Sequence, residues 1–153
     1  MRASLLAPSL LPALCCVALS ACGLVDETLA LQNVLEKNSG ADELTLNASD
    51  VYPDAERIFL VCPYSGHVVD EELGTDLFDT YDEANDTSNW VVIKERRGAT
   101  LKIHMDRTQV DVCPGDVAGS GDVVDGVVEA SPTSAWSFEQ RDGTWVLVEL
   151  RED

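Results

Sequence analysis

Basic residues are scarce in this chain. Ten lysines and arginines stand against 28 aspartates and glutamates, for a formal net charge of −18 at neutral pH. So acidic a protein repels phosphate backbones and anionic headgroups, which argues against nucleic acid or acidic lipid surfaces as direct ligands. Its charge suits a basic partner, divalent cations or strong solvation. Histidine is scarcer still: there are two, His67 and His104, and no H-E-x-x-H spacing, so a catalytic zinc site is not expected. No G-x-S-x-G elbow is present, and no C-x-x-C pair. Internal repeats are also missing. Residues 26–153 therefore read as one acidic domain.

What is present begins at the N-terminus. Residues 1–21 carry a single charge, Arg2, followed by an apolar stretch interrupted by Pro8 and Pro12 and ending in small residues. That is the layout of an export signal, and little more than about 15 apolar residues is short for a spanning helix. The stretch closes on Leu19-Ser20-Ala21-Cys22, after which acids begin. These four residues resemble the lipobox of bacterial lipoproteins. The resemblance implies that the Cys22 thiol is joined to a diacylglycerol and that the chain is cut before it. Two or three acyl chains exceed what stable membrane anchoring needs. Residues 22–25 would then be the lipidated cysteine and a short tether. The expected location is the bacterial cell envelope, with the domain held to a membrane and facing the exterior or periplasm. The alternative is ordinary secretory cleavage, which leaves Cys22 a plain thiol.

The remaining cysteines follow from this. Cys15 and Cys16 leave with the signal and Cys22 takes the lipid, so Cys62 and Cys113 are left as a pair in an oxidising compartment. A Cys62–Cys113 disulfide is expected. It closes a loop of about 50 residues, which the chain-entropy argument values at roughly 4 kcal/mol.

Along the domain, Asp26 is placed to cap a helix in which Thr28, Leu31, Val34 and Leu35 recur at helical spacing before Asn38-Ser39-Gly40. Glu43 to Asn47 alternates as a short strand. Arg57 to Cys62, an unbroken apolar run, reads as a strand buried on both faces. His67 to Leu73 predicts a short helix closed by Gly74. A first hairpin pairs Trp90–Lys94 with Leu101–Met105; a two-residue Arg97-Gly98 turn sets Trp90 opposite Met105 and Val92 opposite Ile103. A second hairpin turns at Asp142-Gly143, with Phe138 opposite Leu147 and Gln140 opposite Trp145. The expected fold is α+β, with the N-terminal helix and the short second helix on one face of a four- or five-stranded, mainly antiparallel sheet.

The stretch "AERIFLVCPYSGHVVDEELG", Ala55 to Gly74, resembles a segment of small bacterial lipoproteins. In those, an apolar strand runs into Pro-Tyr and then a short helix ending Leu-Gly. Pro63, Tyr64, Leu73 and Gly74 carry the match. An aromatic Trp-Asp pair usual before that strand is replaced here by Asp54-Ala55-Glu56. The resemblance implies a fold and a location, and no activity.

Candidate chemistry is thin. Ser65 and His67 put a hydroxyl and an imidazole near each other, yet a triad also needs a converging carboxylate and an oxyanion hole. The sequence identifies no catalytic residue and no cofactor. Calcium donors are available in Asp116, Asp122 and Asp125, and again in Asp79, Asp82 and Asp86, without EF-hand spacing. Asp70 to Asp86 holds eight acids and no base. Within it Asp76, Asp79, Asp82 and Glu83 are the candidate binding residues for a basic envelope protein. A related expectation is inhibition of a basic exported enzyme such as lysozyme, since opposite charge speeds encounter.

Overall fold

A computed structural model describes residues 27–83, 85–113 and 125–152. In chain order these form α1 (Ala30–Lys37), which follows a 3-10 turn at Glu27–Leu29, then β1 (Glu43–Asn47), α2 (Ala48–Val51) and β2 (Ala55–Val61). Next come α3 (Gly66–Leu73), α4 (Thr80–Glu83), β3 (Ser88–Glu95) and β4 (Thr100–Asp106). The last four strands are β5 (Val110–Asp111), β6 (Val127–Ala130), β7 (Ala135–Arg141) and β8 (Thr144–Arg151).

The strands make two sheets of four, in the orders β1-β7-β8-β5 and β4-β3-β2-β6. Every pairing is antiparallel except β5 with β8. The α+β class is as expected, but the expected single sheet is two. Alternation along a strand reveals its faces, not its neighbours. Here the first strand pairs with the seventh and the second with the sixth, partners far away in sequence. The two sheets share one apolar core. The second sheet contributes Ile58, Leu60, Val91, Ile93, Ile103 and Met105, and the first contributes Trp136, Phe138, Trp145, Leu147 and Leu150.

The helices do not share a face either. Leu31 and Leu35 of α1 and Val51 of α2 enter the core between the sheets. Val69 of α3 instead packs on the opposite side of the second sheet, with Phe59, Val61, Phe78, Trp90, Val92 and Val127. Strand β2 is therefore covered on both faces, which is what its unbroken apolar run requires.

Both hairpins form, in different agreement with their sequences. At Asp142-Gly143 both residues have positive φ (52° and 85°), the type I′ geometry that suits a two-residue loop. Phe138 pairs with Leu147 and Gln140 with Trp145, the register expected. In the β3–β4 hairpin the loop has one residue more. The Gly98 N–H donates to Glu95 O, the Glu95 N–H donates to Ala99 O, and Gly98 has φ +92°. This is a three-residue loop, Arg96-Arg97-Gly98, with glycine in the left-handed position. The pairing slips by one: Trp90 faces His104, Val91 faces Ile103 and Val92 faces Lys102. A slip of one exchanges faces. Val91, Ile93, Ile103 and Met105 thus point into the main core, while Trp90 and Val92 join the outer cluster.

Asn89, fully buried on β3, joins the sheets at one corner. Its amide donates to the carbonyls of Met105 (3.2 Å) and Val110 (3.0 Å), and its side-chain oxygen accepts from the Val112 N–H (2.9 Å). A polar side chain at this depth is tolerated because its donors and its acceptor are engaged. Directly beyond, Cys113 is bonded to Cys62 in a disulfide with Cα atoms 5.5 Å apart. The crosslink ties the end of β2 in one sheet to the chain leaving β5 in the other.

Candidate functional site

The outer face of the second sheet carries most of the unusual chemistry. At its β3–β4 side, Lys102 projects from β4 beneath the acidic segment. Its ammonium donates to Asp82 (2.6 Å) and to the Leu77 carbonyl (2.6 Å), and lies 4.9 Å from the centre of the Phe78 ring. Phe78 in turn meets Trp90 edge-on at 5.4 Å and 88°. Burial opposes the Asp82 charge, but hydrogen bonds from Lys102 and the Asp79 backbone, together with the positive charge of Lys102, hold the carboxyl below the ordinary range.

Asp70 organises the chain that leads there. One carboxylate oxygen accepts from the Thr75 hydroxyl (2.8 Å) and the Leu77 N–H (2.7 Å), and the other from the Phe78 N–H (3.0 Å). Gly74, at φ +63°, closes α3 so that the chain can turn back onto this carboxylate. Asp79 then accepts from the Tyr81 and Asp82 N–H groups at the start of α4. Three of the eight acids in the run, Asp70, Asp79 and Asp82, thus serve the fold as hydrogen-bond acceptors.

The four candidate binding residues therefore differ. Asp76 is exposed. Asp79 is exposed but caps α4, and Asp82 is engaged with Lys102, its side chain 19% exposed. The side chain of Glu83 lies outside what the structure describes.

At the β2–β6 side, α3 and the sheet border an open cavity of about 400 Å³. Phe59, Val68, Val69 and Val127 give it an apolar lining, and Glu71, Glu72 and Glu129 add carboxylates. Arg57 spans this region. It grips Glu129 through Nε (2.6 Å) and Nη2 (2.8 Å), and Nη2 also reaches Glu72 at 2.9 Å. The guanidinium lies 4.8 Å from the Phe59 ring centre. These hydrogen bonds from Arg57 hold the Glu129 carboxyl below its usual range despite partial burial. A second cavity, of about 200 Å³, lies beside α1 and is lined by Gln32, Leu35, Val110 and Trp145 among others.

Ser65 is buried, and its hydroxyl donates to the Pro63 carbonyl (3.2 Å). Gly126 lies directly against it: a Cβ built there would fall 2.2 Å from the Ser65 Oγ. His67 is exposed on the first turn of α3. His104 is exposed on β4, and its Nε2 lies 2.8 Å from the Ser88 hydroxyl. Cys22 and Asp26 lie outside the described residues, as do Asp116 and Asp122 among the possible calcium donors. Among the described residues, no three histidine, cysteine or acidic side chains are grouped so that they could hold a metal ion. No helix among them is long and apolar enough to cross a membrane.

No protein-family model, curated protein or solved structure matches this chain.

Sequence reasoning missed Arg57 with Glu72 and Glu129, and it missed Asn89. For Arg57 a signal existed: a lone arginine opening an apolar strand needs a counter-charge once the strand is buried. Nothing in the sequence locates that counter-charge on β6.

Proposed function

We propose that this chain is an exported bacterial lipoprotein, anchored to an envelope membrane through Cys22, whose domain acts as a non-catalytic binding or structural module. The Cys62–Cys113 disulfide carries the case, since such bonds persist outside the reducing cytosol. The Leu19-Ser20-Ala21-Cys22 motif supports the mode of attachment. The net charge of −18 supports a basic envelope protein as partner. Inhibition of a basic exported enzyme such as lysozyme is one form this binding could take.

Metabolic labelling with radioactive palmitate tests the anchor. The full chain produced in a bacterial host should take up label and partition with membranes, and Cys22→Ser should abolish both. Equal labelling of that variant, or none of the parent, would remove the anchored-lipoprotein reading. Cross-linking in intact cells tests the binding role. Asp76→Asn with Glu83→Gln leaves the Asp79 cap and the Asp82–Lys102 pair intact. Loss of a salt-sensitive basic partner in that variant is the expected result, and capture indifferent to both salt and substitution contradicts it.

A further inference from the structure

We propose that the groove between α3 and β6 binds an extended peptide segment in which a lysine or arginine stands two positions from an aliphatic side chain, so that both face the groove. The groove lies at the opposite edge of the same sheet face from the Lys102–Asp82 pair, and of the acidic run it takes only Glu71 and Glu72, not Asp76, Asp79, Asp82 or Glu83. Three observations specify its occupant. The first is size and lining: an open space of about 400 Å³, bordered by half-buried Val68 with Phe59 and Val127 packed behind it, admits an aliphatic side chain.

The second is charge. Glu71, Glu72 and Glu129 border the groove, and the single guanidinium of Arg57 is divided between Glu72 and Glu129. Negative charge remains in excess beside an apolar surface, with Glu71 exposed. An amphipathic cation complements both properties; an acidic or purely apolar ligand complements only one. The third is the sheet edge. Among the described residues β6 pairs only with β2, so its other edge has no strand partner and is the place where an extended chain would add to the sheet. Val127 and Glu129 both lie on the groove side of β6, opposite Val61 and Phe59. A strand added beside β6 would present alternate side chains to the same side of the sheet.

The test uses the full-length chain in a neutral detergent and a short fluorescent peptide in which lysine and leucine stand two positions apart with threonine between them, so that both face one side of the extended chain. Fluorescence anisotropy should show saturable binding that weakens with salt. Val68→Asn and Glu71→Lys, at a partly buried and an exposed position, should each lower affinity by about tenfold or more. A peptide with serine replacing leucine should bind at least about tenfold more weakly, because the aliphatic contact is lost. Asp76→Asn should bind like the parent, and near-ultraviolet circular dichroism of each variant should match it. The proposal is overturned by any of three results: no saturable binding, undiminished binding of the serine peptide, or parental affinity in both groove variants. None of these bears on palmitate labelling or on capture through Asp76 and Glu83, so the two proposals fail separately.

Discussion

The Lys102 ammonium sits 2.6 Å from an Asp82 carboxylate oxygen, joining the edge strand β4 to the acidic segment that covers it. Both side chains are less than one-third exposed, so removal of one partner strands the other in partial burial. Lys102→Met should destabilise the domain by about 1–2 kcal/mol at neutral pH in urea titrations. The sign of the pH dependence follows from the depressed Asp82 carboxyl. Its stabilisation is present above the unfolded value of about 3.9 and fades as pH falls through the lower folded value. The difference between parent and variant should therefore shrink in acid. A difference that grows on acidification contradicts the ion pair.

Asp70 should matter more than its position near a helix end suggests. Asp70→Ala leaves the Leu77 and Phe78 N–H groups and the Thr75 hydroxyl without their acceptor. The expected cost is about 2 kcal/mol, and Asp70→Asn should lose less because one oxygen remains to accept. Since Phe78 contacts Trp90, tryptophan fluorescence should change in the alanine variant even before unfolding. An unchanged spectrum together with unchanged stability would show that the carboxylate does not hold this segment.

Two glycines at positive φ should respond differently to the same substitution. At Gly143 an added Cβ meets nothing within 4 Å, so Gly143→Ala should cost only the backbone strain of about 1 kcal/mol. At Gly126 the same atom would fall on the Ser65 hydroxyl, and Gly126→Ala should cost about 3 kcal/mol. Adding Ser65→Ala should recover part of that loss, because the clashing oxygen is gone. Thermal melts of the two single variants and the pair decide it; strictly additive effects would contradict the contact.

The crosslink should account for a large share of the domain's stability. Replacing Cys62 and Cys113 together by serine should lower stability by about 3–4 kcal/mol, the expected value for a loop of this size. Unfolding of the parent in reductant should approach that of the double variant. Parental melting that is insensitive to reductant would mean that the bond does not constrain the unfolded chain.

How much of this was legible beforehand depended on the range of the interaction. The Asp142-Gly143 hairpin was readable because the dipeptide prescribes both the turn and its register. Strand β2 and helix α3 were readable from an unbroken apolar run and from Gly74 after the last apolar position. Arg96-Arg97-Gly98 was ambiguous, because a glycine after polar residues closes two- and three-residue loops alike. The pairing of β6 with β2 was not readable, and with it went the groove, since no local pattern links Glu129 to Arg57. The acidic run read as a set of outward-facing binding residues because composition records charge and not direction. Asp70 and Asp82 face backbone donors and a lysine that the fold brings to them.

The strand order also sets a timetable. Strand β1, near the start of the domain, has β7 as its neighbour, and Thr45 bonds Ser137 across 92 positions of chain. During synthesis β1 must wait, without its partner, until β7 has emerged. The first sheet can assemble only after β7 and β8 arrive, later than the β2–β3–β4 pairing of the second. Until then the residues that α1 and β1 bring to the shared core have no first sheet to pack against.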